Sequence, residues 1–195
     1  DAETVKEFDS MYADSAQALG RTRKAEDDWG MFGYYIMHNI GIAFQCFAAG
    51  IFLGVGSVFF LVFNGLFMGA VAGYLVAQGH TSNFFSFVIT HSAFELTGIV
   101  LSGAAGLRLG AALLAPGRLA RVEALKQAAS ASVVLIYGAT VMLLVAAALE
   151  AFWSSAQWVP HMVKYVVGGV CWALVLAYLV WQGRPRPAAS VQHAS

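Results

Sequence analysis

The sequence predicts an all-α, polytopic transmembrane helix bundle of about six membrane segments, including a broken or re-entrant hairpin over residues 83–114. Three observations carry this. The 195 residues are 59% hydrophobic and only 11% charged, with a mean hydropathy of +0.67, whereas a soluble domain carries roughly 25% charged residues. The chain thus has too few polar groups to cover a water-facing surface of its size. The apolar residues also come in long blocks rather than in alternation, and between Trp29 and Leu107 the only formally charged side chain is Glu95. Such blocks are the signature of membrane spans.

Residues 1–30 form an N-terminal amphipathic and juxtamembrane segment. Val5, Phe8, Met11, Tyr12, Ala16 and Leu19 recur at three- and four-residue steps and make one apolar face, opposite Lys6, Glu7, Asp9 and Asp14. That helix suits a membrane surface, a soluble partner or its own core equally well. "GRTRKAEDDWGM" follows as a charged collar, with Trp29 as an interfacial anchor. A chain starting at Asp1 on a mostly polar segment is expected to be part of a longer protein.

The transmembrane domain is assigned to residues 31–183. Its first block, Phe32 to Gly79, is too long for one crossing, which needs roughly 20 residues. "AAGIFLGVG" is the place for it to fold back, giving helices near 32–50 and 54–78. As a single helix, 83–114 would be about 48 Å long, beyond what modest tilt absorbs. It is therefore expected to split into two pieces meeting near Gly98 to Gly103. Spans near 131–152 and 161–182 follow, then a polar tail at 184–195, "RPRPAASVQHAS".

The basic residues are consistent with this partition. Arg21, Arg23 and Lys24 precede the first span, Arg118, Arg121 and Lys126 follow Leu114, and Arg184 and Arg186 lie in the tail. The positive-inside rule puts all three groups in the cytoplasm, and only a hairpin at 83–114 lets them share a side. Both termini are accordingly expected to be cytoplasmic.

Glycines mark close helix approaches. Gly65, Gly69 and Gly73 in "GLFMGAVAG", and Gly106 and Gly110 in "GAAGLRLG", sit at four-residue steps. That spacing lets helix backbones approach in lipid, and packing within the bundle is the expected use. Cys46 and Cys171 read as small buried hydrophobes, with no disulfide framework and no metal-binding spacing. Zero net charge gives no reason to expect a nucleic-acid partner; the expected surroundings are membrane lipid.

His38, Asn39, Asn64, His91, Glu95 and Glu150 are the candidates for an intramembrane polar cluster. His91 and Glu95, four apart, share a helix face. Three readings stay open. His91 and Glu95 suit a divalent metal, imidazole and carboxylate being zinc ligands, although the pattern lacks the second histidine of the His-Glu-x-x-His zinc proteases. The cluster also suits a water-lined proton or substrate path, as intramembrane ionisable groups generally do. Lastly, the groups satisfy one another and a broken backbone. Arg108 pairs with Glu95 only across a hairpin, and Lys164 reads as a cation reaching for the interface. There is no Gly-x-Ser-x-Gly elbow, phosphate-binding loop or haem-attachment motif. No catalytic residue is assigned, no cofactor is expected beyond the metal reading, and a non-enzymatic role is favoured.

The runs "FGYYIMHNIGIAFQCFAAGIFLGVGSVFFLVFNGLFMGAVAGYL", "FVITHSAFELTGIVLSGAAGLRLGAALLAPGRLAR" and "AALEAFWSS" resemble the stage II sporulation protein M family of bacterial membrane proteins, in its non-sporulation branch. His38-Asn39, Asn64-Gly65, His91 with Glu95, Pro116-Gly117 and Glu150 before Ala-Phe-Trp carry the resemblance, over about residues 31–183. It implies an oligomeric scaffold or complex subunit in the bacterial inner membrane that recruits envelope-associated partners, with a MoxR-type AAA ATPase system among them. It implies no reaction. The alternative is a transporter or channel-like subunit with a His91/Glu95 site, and a third is an intramembrane metalloenzyme.

Overall fold

The computed structural model describes Glu3, Lys6, residues 25–156 and residues 158–184. Five long helices follow one another: α1 (Ala25–Ala48), α2 (Val55–Ala77), α3 (Thr81–Leu114), α4 (Arg121–Ala148) and α5 (His161–Gln182). There is no strand among the described residues. Four segments are long and apolar enough to cross a membrane: α2, α3, α4 extended to Ser154, and α5. The amphipathic face from Val5 to Leu19 lies outside the described residues.

Local chemistry sets the helix ends. α1 opens with Glu26, Asp27 and Asp28 in its first turn, where carboxylates oppose the helix dipole. A 3₁₀ turn, Ala49–Ile51, and a left-handed pair, Leu53 (φ 55°) and Gly54 (φ 83°), reverse the chain into α2. The stretch read as the fold-back point is that turn. Pro116 and Gly117 (φ 64°) separate α3 from α4. α4 widens into a π-helical segment, Leu149–Ser154, and Pro160 caps α5.

The expected break at 83–114 does not occur. α3 is one continuous helix of 34 residues, about 51 Å long, packed against all four other helices. The glycines taken as a breakpoint serve its neighbours instead. A Cβ on Gly98 would press on Leu143 and the Ala139 carbonyl, and one on Gly103 would overlap Leu61. These glycines admit Leu143 of α4 and Leu61 of α2 against α3, so small size, not backbone freedom, is what the sequence supplies there.

The continuous helix also removes the argument that placed every basic group on one side. Trp29 and Phe32 of α1 pack on Phe152, with ring centroids 5.1 and 5.6 Å apart. The starts of α3 and α5 meet through a 2.9 Å Ser82–His161 hydrogen bond, so these helices run parallel. Ala25 and Arg184 therefore lie at opposite ends of the bundle. The Arg118–Arg121–Lys126 group shares the Arg184 end.

The two glycine runs have different fates. Gly106 and Gly110 pack against the α1–α2 turn: a Cβ on Gly106 would overlap Ser57 Oγ and the carbonyls of Cys46 and Phe47. Ser57 fixes this junction by donating to the Cys46 carbonyl at 2.6 Å. Gly65, Gly69 and Gly73 have open space around them, so the expectation of packing within the bundle fails for that run. Within α2 only Ser57 and Leu75 are buried. Both cysteines are free, Cys46 buried and Cys171 partly so.

Candidate functional site: a buried His–Glu–Glu centre

Four of the six predicted polar residues come together, three of them as potential ligands and Asn39 beside them. His91 and Glu95 lie one turn apart on α3, and Glu150 reaches them from the π-helical segment after α4. One ligand atom from each can be chosen so that all lie within 4.8 Å of one another. His91 Nε2 stands 3.8 Å from Glu95 Oε2, and the two side chains are 4% and 12% exposed. Those figures place both groups inside the protein, away from lipid.

The supporting contacts come from different helices. Ser154 Oγ and His91 Nδ1 share a 2.9 Å hydrogen bond, and Phe87 packs edge-on to the imidazole at 5.2 Å. Asn39 of α1 is buried and faces Glu150; its Nδ2 nevertheless has no partner at hydrogen-bond distance. Glu150 Oε2 and Trp153 Nε1 are likewise buried without partners. Lys164 of α5 donates from Nζ to the Ser154 carbonyl at 2.7 Å, and Thr90 Oγ1 donates to the Lys164 carbonyl at 3.4 Å.

The π-helical turn accounts for part of this. Such turns insert a residue and free main-chain acceptors, frequently at functional sites. Lys164 takes the Ser154 carbonyl, left open where the helix ends, so a cation expected to reach for the interface is instead buried, at 5% exposure, and bonded to the protein. The cause is position: Lys164 opens α5 beside the wide turn.

The other predicted members stand elsewhere. His38 is exposed and stacks on Tyr34, centroids 5.7 Å apart. Asn64 donates to the Phe60 carbonyl of its own helix at 2.7 Å. Arg108 is exposed and thirteen residues along a straight helix from Glu95, about 20 Å away, so that pairing cannot form. Ser154 was not among the predicted residues. Its spacing of four from Glu150 was the available signal, since residues so spaced share a helix face.

A polytopic helical membrane protein with a buried, tightly held His–Glu–Glu centre is the class these features define. A family model, that of stage II sporulation protein M, matches residues 2–155. The chain belongs to that family. The match takes in α1 to α4 and the π-helical segment, so His91, Glu95, Glu150 and Ser154 all fall inside it, while α5 and Lys164 lie beyond. No curated protein and no solved structure matches the chain.

Proposed function

We propose that the protein is a self-associating inner-membrane subunit that anchors envelope-associated partners. The observation that carries this reading is the free face of α2. Val58, Val62 and Leu66 lead at three- and four-residue steps into Gly65, Gly69 and Gly73, and no side chain of the same chain fills the space at those glycines. The upper part of that face is a shallow apolar groove lined by Val55, Val58, Phe59, Val62, Phe63 and Leu66. A small-residue ridge at four-residue spacing is the geometry that lets two membrane helices pack closely. A second copy of α2 is the occupant we assign to it. The end bearing Arg118, Arg121, Lys126 and Arg184 has more basic residues than the Arg21, Arg23 and Lys24 that precede α1, so we assign it to the cytoplasm, as a docking surface for a soluble partner.

The test is cross-linking in native membranes. With Cys46 and Cys171 replaced by Ser, Gly69→Cys is expected to give a covalent dimer on mild oxidation, and Gly138→Cys, on α4, is expected to give far less. Gly69→Leu should shift detergent-purified protein from oligomer to monomer. A wild-type chain that is monomeric in both detergent and membranes sinks the reading.

Convergence of His91, Glu95 and Glu150 favours a second reading, a proton or substrate site in a transport subunit. It predicts that Glu95→Gln keeps the fold and abolishes a proton-linked flux in proteoliposomes; an unchanged flux removes it.

A further inference from the structure

We propose that His91, Glu95 and Glu150 bind a divalent transition-metal ion, with Ser154 positioning the histidine. The inference starts from charge. Two carboxylates and an imidazole sit within 4.8 Å of one another inside an apolar bundle, where an uncompensated charge is costly. Lys164 is the cation close by, and its ammonium is directed at the Ser154 carbonyl. A divalent ion balances both carboxylates at once.

Geometry supplies the second argument. In the tautomer that donates Nδ1–H to Ser154 Oγ across the 2.9 Å contact, the Nε2 lone pair is left to face Glu95 Oε2. The 3.8 Å between those atoms is too long for a hydrogen bond. It is close to the separation of about 3.4 Å expected for two tetrahedral ligands each about 2.1 Å from zinc. A histidine whose second ring nitrogen is held by an outer hydrogen bond is the usual arrangement in metal sites. The widest gap in the set, 4.8 Å, closes by small rotations of two flexible glutamates.

Unpartnered atoms supply the third. Glu150 Oε2 is buried with no hydrogen-bond partner, as is Nδ2 of Asn39, which is 1% exposed and faces Glu150. A buried carboxylate oxygen without a donor is rare in a finished core. As a ligand oxygen it is satisfied. One imidazole and two carboxylates suit zinc, manganese or iron(II), and thiolate-seeking ions are disfavoured. Three protein ligands leave a coordination position open on a four-coordinate ion.

The experiment uses the full chain in detergent, stripped with EDTA and titrated with cobalt(II), then zinc(II). About one cobalt per chain is expected, with visible d–d bands that zinc abolishes, and a raised melting temperature for either loaded form. Glu95→Gln and Glu150→Gln keep side-chain size and should lose at least tenfold in affinity. Ser154→Ala should weaken binding by about 10–100-fold, the usual effect of losing an outer-shell partner. His38→Ala, at an exposed histidine, should bind as the wild type does. The proposal is overturned if the stripped wild type takes up no stoichiometric metal. It is also overturned if Glu150→Gln, folded by circular dichroism, binds equally well.

Discussion

Gly106→Leu is expected to abolish the folded bundle. A Cβ at this position already overlaps Ser57 Oγ and the carbonyls of Cys46 and Phe47, and a leucine adds three more carbons to a junction with no room. Two of the three obstacles are main chain, which cannot rotate away as a side-chain tip can. The Ser57–Cys46 hydrogen bond at 2.6 Å lies in the path of the new side chain. Even Gly106→Ala should cost about 1–3 kcal/mol, the usual range for overpacking. The control is Gly138→Ala, which meets open space on α4 and should be neutral or stabilise that helix by up to about 1 kcal/mol through helix propensity. Unfolding in mixed micelles reads both. Equal stability of Gly106→Ala and Gly138→Ala would mean that the α1–α2 turn does not seat on α3 as described.

The next largest effect is expected at Lys164. Lys164→Ala removes the donor to the Ser154 carbonyl and leaves that acceptor buried, and a lost bond to a charged group costs about 1.5–3 kcal/mol. Because Ser154 Oγ also holds His91 Nδ1, the loss reaches the centre. Lys164→Arg keeps the charge and a donor and should recover part of the stability. A lysine merely reaching the membrane surface would give a change within about 0.5 kcal/mol. An unfolding midpoint that does not move on Lys164→Ala would therefore restore the interfacial assignment.

Much of the architecture was legible because hydrophobic block length and turn chemistry are local properties. The expected helices near 32–50, 54–78 and 161–182 correspond to α1, α2 and α5 at Ala25–Ala48, Val55–Ala77 and His161–Gln182, although α1 is not among the four segments apolar enough to cross a membrane. Helix length weighed against bilayer thickness predicts a split that the continuous α3 does not have. A long helix can instead tilt or project beyond the hydrocarbon, and α4 with its π-helical extension, Arg121–Ser154, is equally long. Glycine was read as a breaker where it served as a contact surface. At the polar centre, His91 and Glu95 were readable from their spacing of four. Glu150 stands among the candidates as a polar group in an apolar block, but its convergence with His91 and the bond from Ser154 to that histidine depend on a departure from α-helical hydrogen bonding that no residue type announces. His38 and Asn64 show the converse: polar residues in apolar blocks that found local partners.

The π-helical segment carries one more consequence. An inserted residue advances the screw of a helix by about 100°, so Leu149–Ser154 offsets the angular phase of everything after it from that of α4. Glu150 and Ser154 meet His91 only while that offset is kept. Deleting one apolar residue from the segment would return the helix to its original phase and turn one of the two away from the centre, with no change in charge. The assembly of the centre is thus a matter of helical timing, fixed by where a single extra residue falls.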